Sequence, residues 1–161
     1  MNHSGTFLTP RSAEEVFDLI AEPQRFASLL PDYESMSVQD ATHFTMRIKI
    51  EVGKIISHAN LAMELRDAIR PDRVAYYGHG IVAGSQLNFA MQFQFASAKA
   101  ETRVNWQGEV SIDGMLAMMA GGLLEPMARK NFELMTERLQ GELRRGDATN
   151  QALTPDSGPK I

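Results

Sequence analysis

The spacing of apolar residues changes along the chain, and each change marks an element. Thr6-Phe7-Leu8-Thr9 reads as a short strand that stops at Pro10. Ser12-Ala13-Glu14-Glu15 has the form of a capping box, in which the Ser12 hydroxyl and the Glu15 carboxylate satisfy free amides at a helix start. Val16, Phe17, Leu19 and Ile20 supply the apolar face of that helix. Pro23 ends it and opens the next, because a proline in the first helical position forfeits no hydrogen bond. The second helix carries Phe26, Leu29 and Leu30 and stops before Pro31.

From residue 33 onward the period is two, the signature of strands. Phe44, Met46, Ile48, Ile50 and Val52 alternate with polar residues, as do Leu61, Met63 and Leu65. Val74, Tyr76 and Gly78 follow the Arg70-Pro71-Asp72 turn. In the clearest strand Leu87, Phe89, Met91, Phe93 and Phe95 share one face. Val104, Trp106, Gly108, Val110 and Ile112 do so in the next. Clean alternation predicts an antiparallel sheet with one wet and one apolar face, and the apolar face needs a cover.

The segment from Met115 to Arg145 is the cover. Leu124, Ala128, Phe132, Met135, Leu139 and Leu143 recur at helical spacing, flanked by charged residues. A helix from Met127 to Arg145 spans about 28 Å at 1.5 Å per residue. Pro126 predicts a kink or a fresh start, leaving Met115 to Leu124 as a separate turn or two. The expected architecture is α+β: one strand, two short helices, further strands making about seven in all, and a long C-terminal helix gripped by the sheet. One domain covers residues 1–145, and the polar stretch 146–161, with Pro155, Gly158 and Pro159, reads as a disordered tail.

Composition narrows the function. The chain has 161 residues, a net charge of -4 and no cysteine. No basic field for nucleic acid is present, and disulfide, thiolate and cysteine-metal chemistry are excluded. The N-terminus lacks a signal-peptide pattern, and no apolar run reaches the ~18 residues of a membrane span. A cytoplasmic protein, peripheral at most on the inner face of the membrane, is the expectation.

The chain resembles the carbon monoxide dehydrogenase G-subunit-like branch of the START-related (SRPBCC) helix-grip proteins. The matching stretches are Ser4-Gly5-Thr6-Phe7, Ser12-Ala13-Glu14-Glu15-Val16-Phe17, Leu29-Leu30-Pro31, Gly78-His79-Gly80 with Gly84-Ser85, and Gly121-Gly122-Leu123-Leu124 leading into Ala128-Arg129-Lys130. They span roughly residues 4 to 143. Two departures stand out: Asp32 follows the Leu-Pro pair where the family often has glycine, and the tail has no apolar anchor. The resemblance implies a non-enzymatic accessory or carrier protein that needs no cofactor. Its guest would be a quinone, a fatty acid or another lipid, and its partner a molybdenum-containing carbon monoxide dehydrogenase-like oxidoreductase.

Candidate cavity residues on the inferred inner face are Phe89, Met91, Phe93, Phe95, Trp106, Met119, Leu124, Met127, Phe132 and Met135. Ten methionines in the chain suit a pocket that adapts to a flexible guest, although each such residue taken alone reads better as plain core. Met115, Met118, Gly121 and Gly122 form either a mobile gate or a helical lead-in whose glycines allow close packing. Tyr76 and His79 are the candidate polar anchors, with His79 placed outward by strand parity. His3, His43 and His58 have no metal-ligand spacing. There is no serine elbow, and the local carboxylate pair Asp32 and Glu34 falls in a turn. A catalytic site is therefore not expected. An enzyme acting on a hydrophobic substrate through Tyr76, Tyr77 or His79, and a pure interaction module, are the competing readings.

Overall fold

The computed structural model describes the backbone of residues 1–157 and the side chains of residues 1–145. The elements run β1 (Asn2–Thr9), α1 (Ala13–Ile20), α2 (Pro23–Leu29), β2 (Tyr33–Val38), β3 (His43–Val52), β4 (Ile55–Ile69), β5 (Arg73–Val82), β6 (Ser85–Ala98), β7 (Glu101–Ile112), α3 (Met115–Ala120), a 3-10 turn (Gly121–Leu123) and α4 (Leu124–Ser157). The strands form one antiparallel sheet in the order β1-β7-β6-β5-β4-β3-β2. This is the helix-grip arrangement expected from the pattern.

The local chemistry acts as its residues dictate. The Glu15 amide donates to Ser12 Oγ at 3.2 Å and the Ser12 amide to Glu15 Oε1 at 3.3 Å, completing the capping box. Pro23 opens α2. Pro126 stands in the first turn of α4, where its missing N–H is harmless, so α3 and α4 are separate helices. Register irregularities at Tyr33/Ser35 on β2 and Leu65/Asp67 on β4 mark bulges, which bend and twist strands. They help the sheet curl around its cover.

The inner residues of β3 to β7 are those that alternation selects. Phe44, Met46, Leu61, Met63, Val74, Tyr76, Met91, Phe93, Val104 and Ile112 are all buried. On α4, Leu124, Ala128, Phe132, Met135, Leu139 and Leu143 are buried as the helical spacing requires. The strip faces the concave side of the sheet, and α4 packs against β1 and α2.

Three boundaries differ from expectation. β1 begins at Asn2, because its inward residues His3 and Gly5 are not apolar and hide the alternation. Gly5 is required there: a Cβ would come within 2.6 Å of Trp106 Nε1. β4 begins at Ile55, ahead of the first alternating residue. The backbone of α4 continues to Ser157, past the expected end at Arg145. The expected disordered tail falls where side chains 146–157 and residues 158–161 lie outside the described residues. Among the described residues no helix is long and apolar enough to cross a membrane.

Candidate functional site

The concave face of the sheet is covered unequally. At one end α1 and α2 plug it. Tyr76 is fully buried there, its hydroxyl donating to the Ile20 carbonyl at 2.7 Å and its ring stacked on Phe26 at 3.9 Å. Phe93 meets Phe26 edge-on at 6.3 Å. At the other end α4 covers the sheet, packing against β1 and α2, with α3 set against the start of β6. A cavity of about 400 Å³ lies there.

Its floor comes from Met46, Ile48 and Ile50 on β3, Leu61 on β4, Leu87 and Phe89 on β6, and Val110 and Ile112 on β7. Met127, Ala128, Phe132, Leu134 and Met135 of α4 form the roof. Asp32, Lys49, Glu51, Lys130, Asn131 and Arg138 supply the polar groups of the wall, alongside Leu30 and Pro31. A mostly apolar pocket of this size with few polar groups is the ordinary form of a small-molecule site.

The Leu30-Pro31-Asp32 segment is held from two sides. The Lys49 amide donates to the Asp32 carbonyl at 2.9 Å, and an Arg138 guanidinium nitrogen donates to the Leu30 carbonyl at 3.1 Å. Asp32 has φ 61°, a left-handed conformation. Lys49 Nζ lies 2.5 Å from Glu51 Oε1. That hydrogen bond, with the negative charges of Glu51, Asp32 and Glu34, raises the Lys49 pKa above its ordinary value. Lys49 therefore stays an ammonium, the wrong form for a base or an amine nucleophile.

An aromatic cluster closes one part of the wall. Phe132 stacks with Phe89 at 6.2 Å and Trp106 at 6.0 Å, and its ring is 5.6 Å from that of His3. Gly108 makes the space: a Cβ at that position would collide with the Phe132 ring.

Of the ten expected cavity residues, Phe89, Met127, Phe132 and Met135 line the cavity. Met91, Phe93, Phe95, Trp106 and Leu124 are instead buried core. Met119 is exposed. Tyr76 is no ligand anchor, because its hydroxyl is already bonded to the chain and burial raises its pKa, keeping it neutral. His79 is exposed on the outer face, in a shallow depression with His43, Tyr77 and Asn88. Met115, Met118, Gly121 and Gly122 are exposed and form no part of the cavity wall. α3 is pinned by buried Leu116 and Ala120, and by the Leu116 amide, which donates to Ser85 Oγ at 2.7 Å.

Sequence reasoning missed the β3 floor and the rim. The signal was present: Met46, Ile48 and Ile50 share the inward parity of Phe44. Missing was the knowledge that α1 and α2 sit over the Tyr76 and Phe93 end. Only the uncovered half of each strand borders empty space.

The fold is widely shared. A conserved protein from Geobacillus kaustophilus superposes with a TM-score of 0.77 at 14% identity, over 90% of this chain and 96% of that one. The Zhui aromatase/cyclase from Streptomyces sp. R1128 gives 0.67 at 15% identity, over 90% and 94%. A START superfamily protein from Mycobacterium smegmatis gives 0.63 at 10% identity, over 89% and 97%. At such identities the likeness establishes the START-like fold alone. No curated protein matches the chain. The family description of the carbon monoxide dehydrogenase G subunit (CoxG), however, matches residues 5–144, from the glycine under Trp106 through the buried face of α4. The chain therefore belongs to the CoxG family, that of the carbon monoxide dehydrogenase G subunit.

Proposed function

We propose that this protein is a non-enzymatic carrier that holds an apolar molecule between α4 and the β3 side of the sheet. The carrying observation is the cavity of about 400 Å³ with its apolar floor and roof. A quinone, a fatty acid or another lipid fits that lining. Family membership supports delivery to, or maturation of, a molybdenum-containing carbon monoxide dehydrogenase-like oxidoreductase. Exposed Met115, Met118, Met119 and Leu123 on α3 and the adjoining turn supply an apolar contact surface, suited to a partner protein or a peripheral lipid contact.

Catalysis has less support. Lys49 is held charged, and the Tyr76 hydroxyl is bonded to the chain away from the cavity. Native mass spectrometry of gently purified protein, followed by extraction, tests the carrier reading. The expected result is a quinone or lipid at close to one per chain. A clean protein mass, unchanged after exposure to quinones and fatty acids, overturns it.

A further inference from the structure

His3 presents a polar atom with no assigned partner. It points inward from β1, opposite Gly108 of β7, and its ring meets that of Phe132. Its Nε2 is enclosed, and no hydrogen-bond partner reaches it among the described residues. Enclosed polar atoms without partners are uncommon in folded proteins and carry a desolvation cost, so each calls for a physical account. Phe132 belongs to the cavity wall and His3 does not. The Phe132 ring both touches the His3 ring and lines the cavity.

Resting on the carrier reading above, we infer that His3 is the polar anchor of the cavity, receiving an uncharged oxygen, such as a carbonyl, on the head of the apolar ligand when Phe132 turns aside. A neutral imidazole donates from one ring nitrogen and accepts at the other. In the Nε2–H tautomer it donates to the carbonyl oxygen. The neighbours argue for an uncharged head: Phe132, Phe89 and Trp106 gather at this end, whereas Lys49, Lys130 and Arg138 line the wall elsewhere. A carboxylate would be drawn to those cations. A carbonyl has nothing to gain there that water does not offer, and gains the unpaired nitrogen at His3.

Trp106 is the only tryptophan and stacks on Phe132, so its fluorescence reports events at this end. The test is a fluorescence titration with 2-tridecanone and with n-tridecane, each delivered from cyclodextrin. The unmutated protein should bind the ketone at least tenfold more tightly than the alkane. His3→Phe should lower ketone affinity to that of the alkane and leave alkane binding unchanged. If both probes bind and His3→Phe keeps the ketone preference, the anchor is elsewhere and the inference fails while the carrier reading stands. If neither probe binds the unmutated protein, both fail. Infrared spectroscopy of the unmutated complex gives an answer without any substitution. The carbonyl band of bound ketone should lie below its position in hydrocarbon solvent, and a band at the hydrocarbon position overturns the inference.

Discussion

At the scale of single residues, two neighbours on one strand separate cavity from core. Met91 is fully buried, whereas Phe89 is half-buried and borders the cavity. Met91→Ala removes packed atoms and leaves a hole, so it should cost about 2–5 kcal/mol. Phe89→Ala removes more atoms, yet the lost ring borders space that is already empty. Its cost should be the smaller of the two, as urea denaturation of both variants will show. Equal or reversed costs would mean that the cavity is filled in solution. Asp32 gives a second prediction. A left-handed residue other than glycine bears roughly 1–2 kcal/mol of strain, less for aspartate, and glycine loses about 0.5–1 kcal/mol in chain entropy elsewhere. These nearly cancel, so Asp32→Gly should leave stability within about 1 kcal/mol. Asp32→Val, β-branched at φ 61°, should destabilise clearly in the same assay.

At the scale of elements, the β2–β3 connection carries a pH dependence that can be isolated. Asp40 accepts from the Thr42 amide at 2.9 Å and the His43 amide at 2.7 Å, with the His43 ring at 3.0 Å. The Thr42 amide foremost, then the His43 ring, lower its pKa to about 2. A carboxylate depressed on folding stabilises the fold above its unfolded value near 3.8. That contribution is lost as pH falls through the folded value. Asp40→Asn should therefore flatten the fall in urea midpoint between pH 4 and pH 2, with the loss already present at neutral pH. An unchanged profile would remove Asp40 from the acid response. Elements also mark the limit of what the sequence could reveal. The capping box at Ser12, the restart at Pro126 and the inward parity of β3 to β7 are local patterns, and all were legible. The extent of β1 was hidden because Trp106, about 100 residues away, dictates a glycine at position 5. The cavity depends on where α1 and α2 come to rest, which no local period encodes. Phe93 and Phe89 therefore looked alike in sequence and differ in the fold.

At the scale of the whole molecule, the cavity and the apolar surface are separate features. Met118 is 85% exposed, Met119 66% and Met115 64%, so their burial cannot be what holds α3 in place; Leu116, Ala120 and the bond to Ser85 do that. Stability and ligand retention should then be independent of these methionines. The triple substitution Met115→Gln, Met118→Gln and Met119→Gln should change stability by no more than about 0.5 kcal/mol per site, as for other exposed positions. Native mass spectrometry should find the same ligand occupancy as in the unmutated protein. Transfer is different, because a ligand leaving an apolar cavity for a membrane meets water unless an apolar surface bridges the gap. The rate at which protein-bound ligand reaches phosphatidylcholine vesicles should fall in the triple variant while the equilibrium partition stays fixed. A rate unaffected by the three substitutions would make α3 irrelevant to vesicle transfer and direct attention to the rim between β3 and α4. A loss of occupancy would instead show that these methionines help hold the ligand, although none of them lines the cavity.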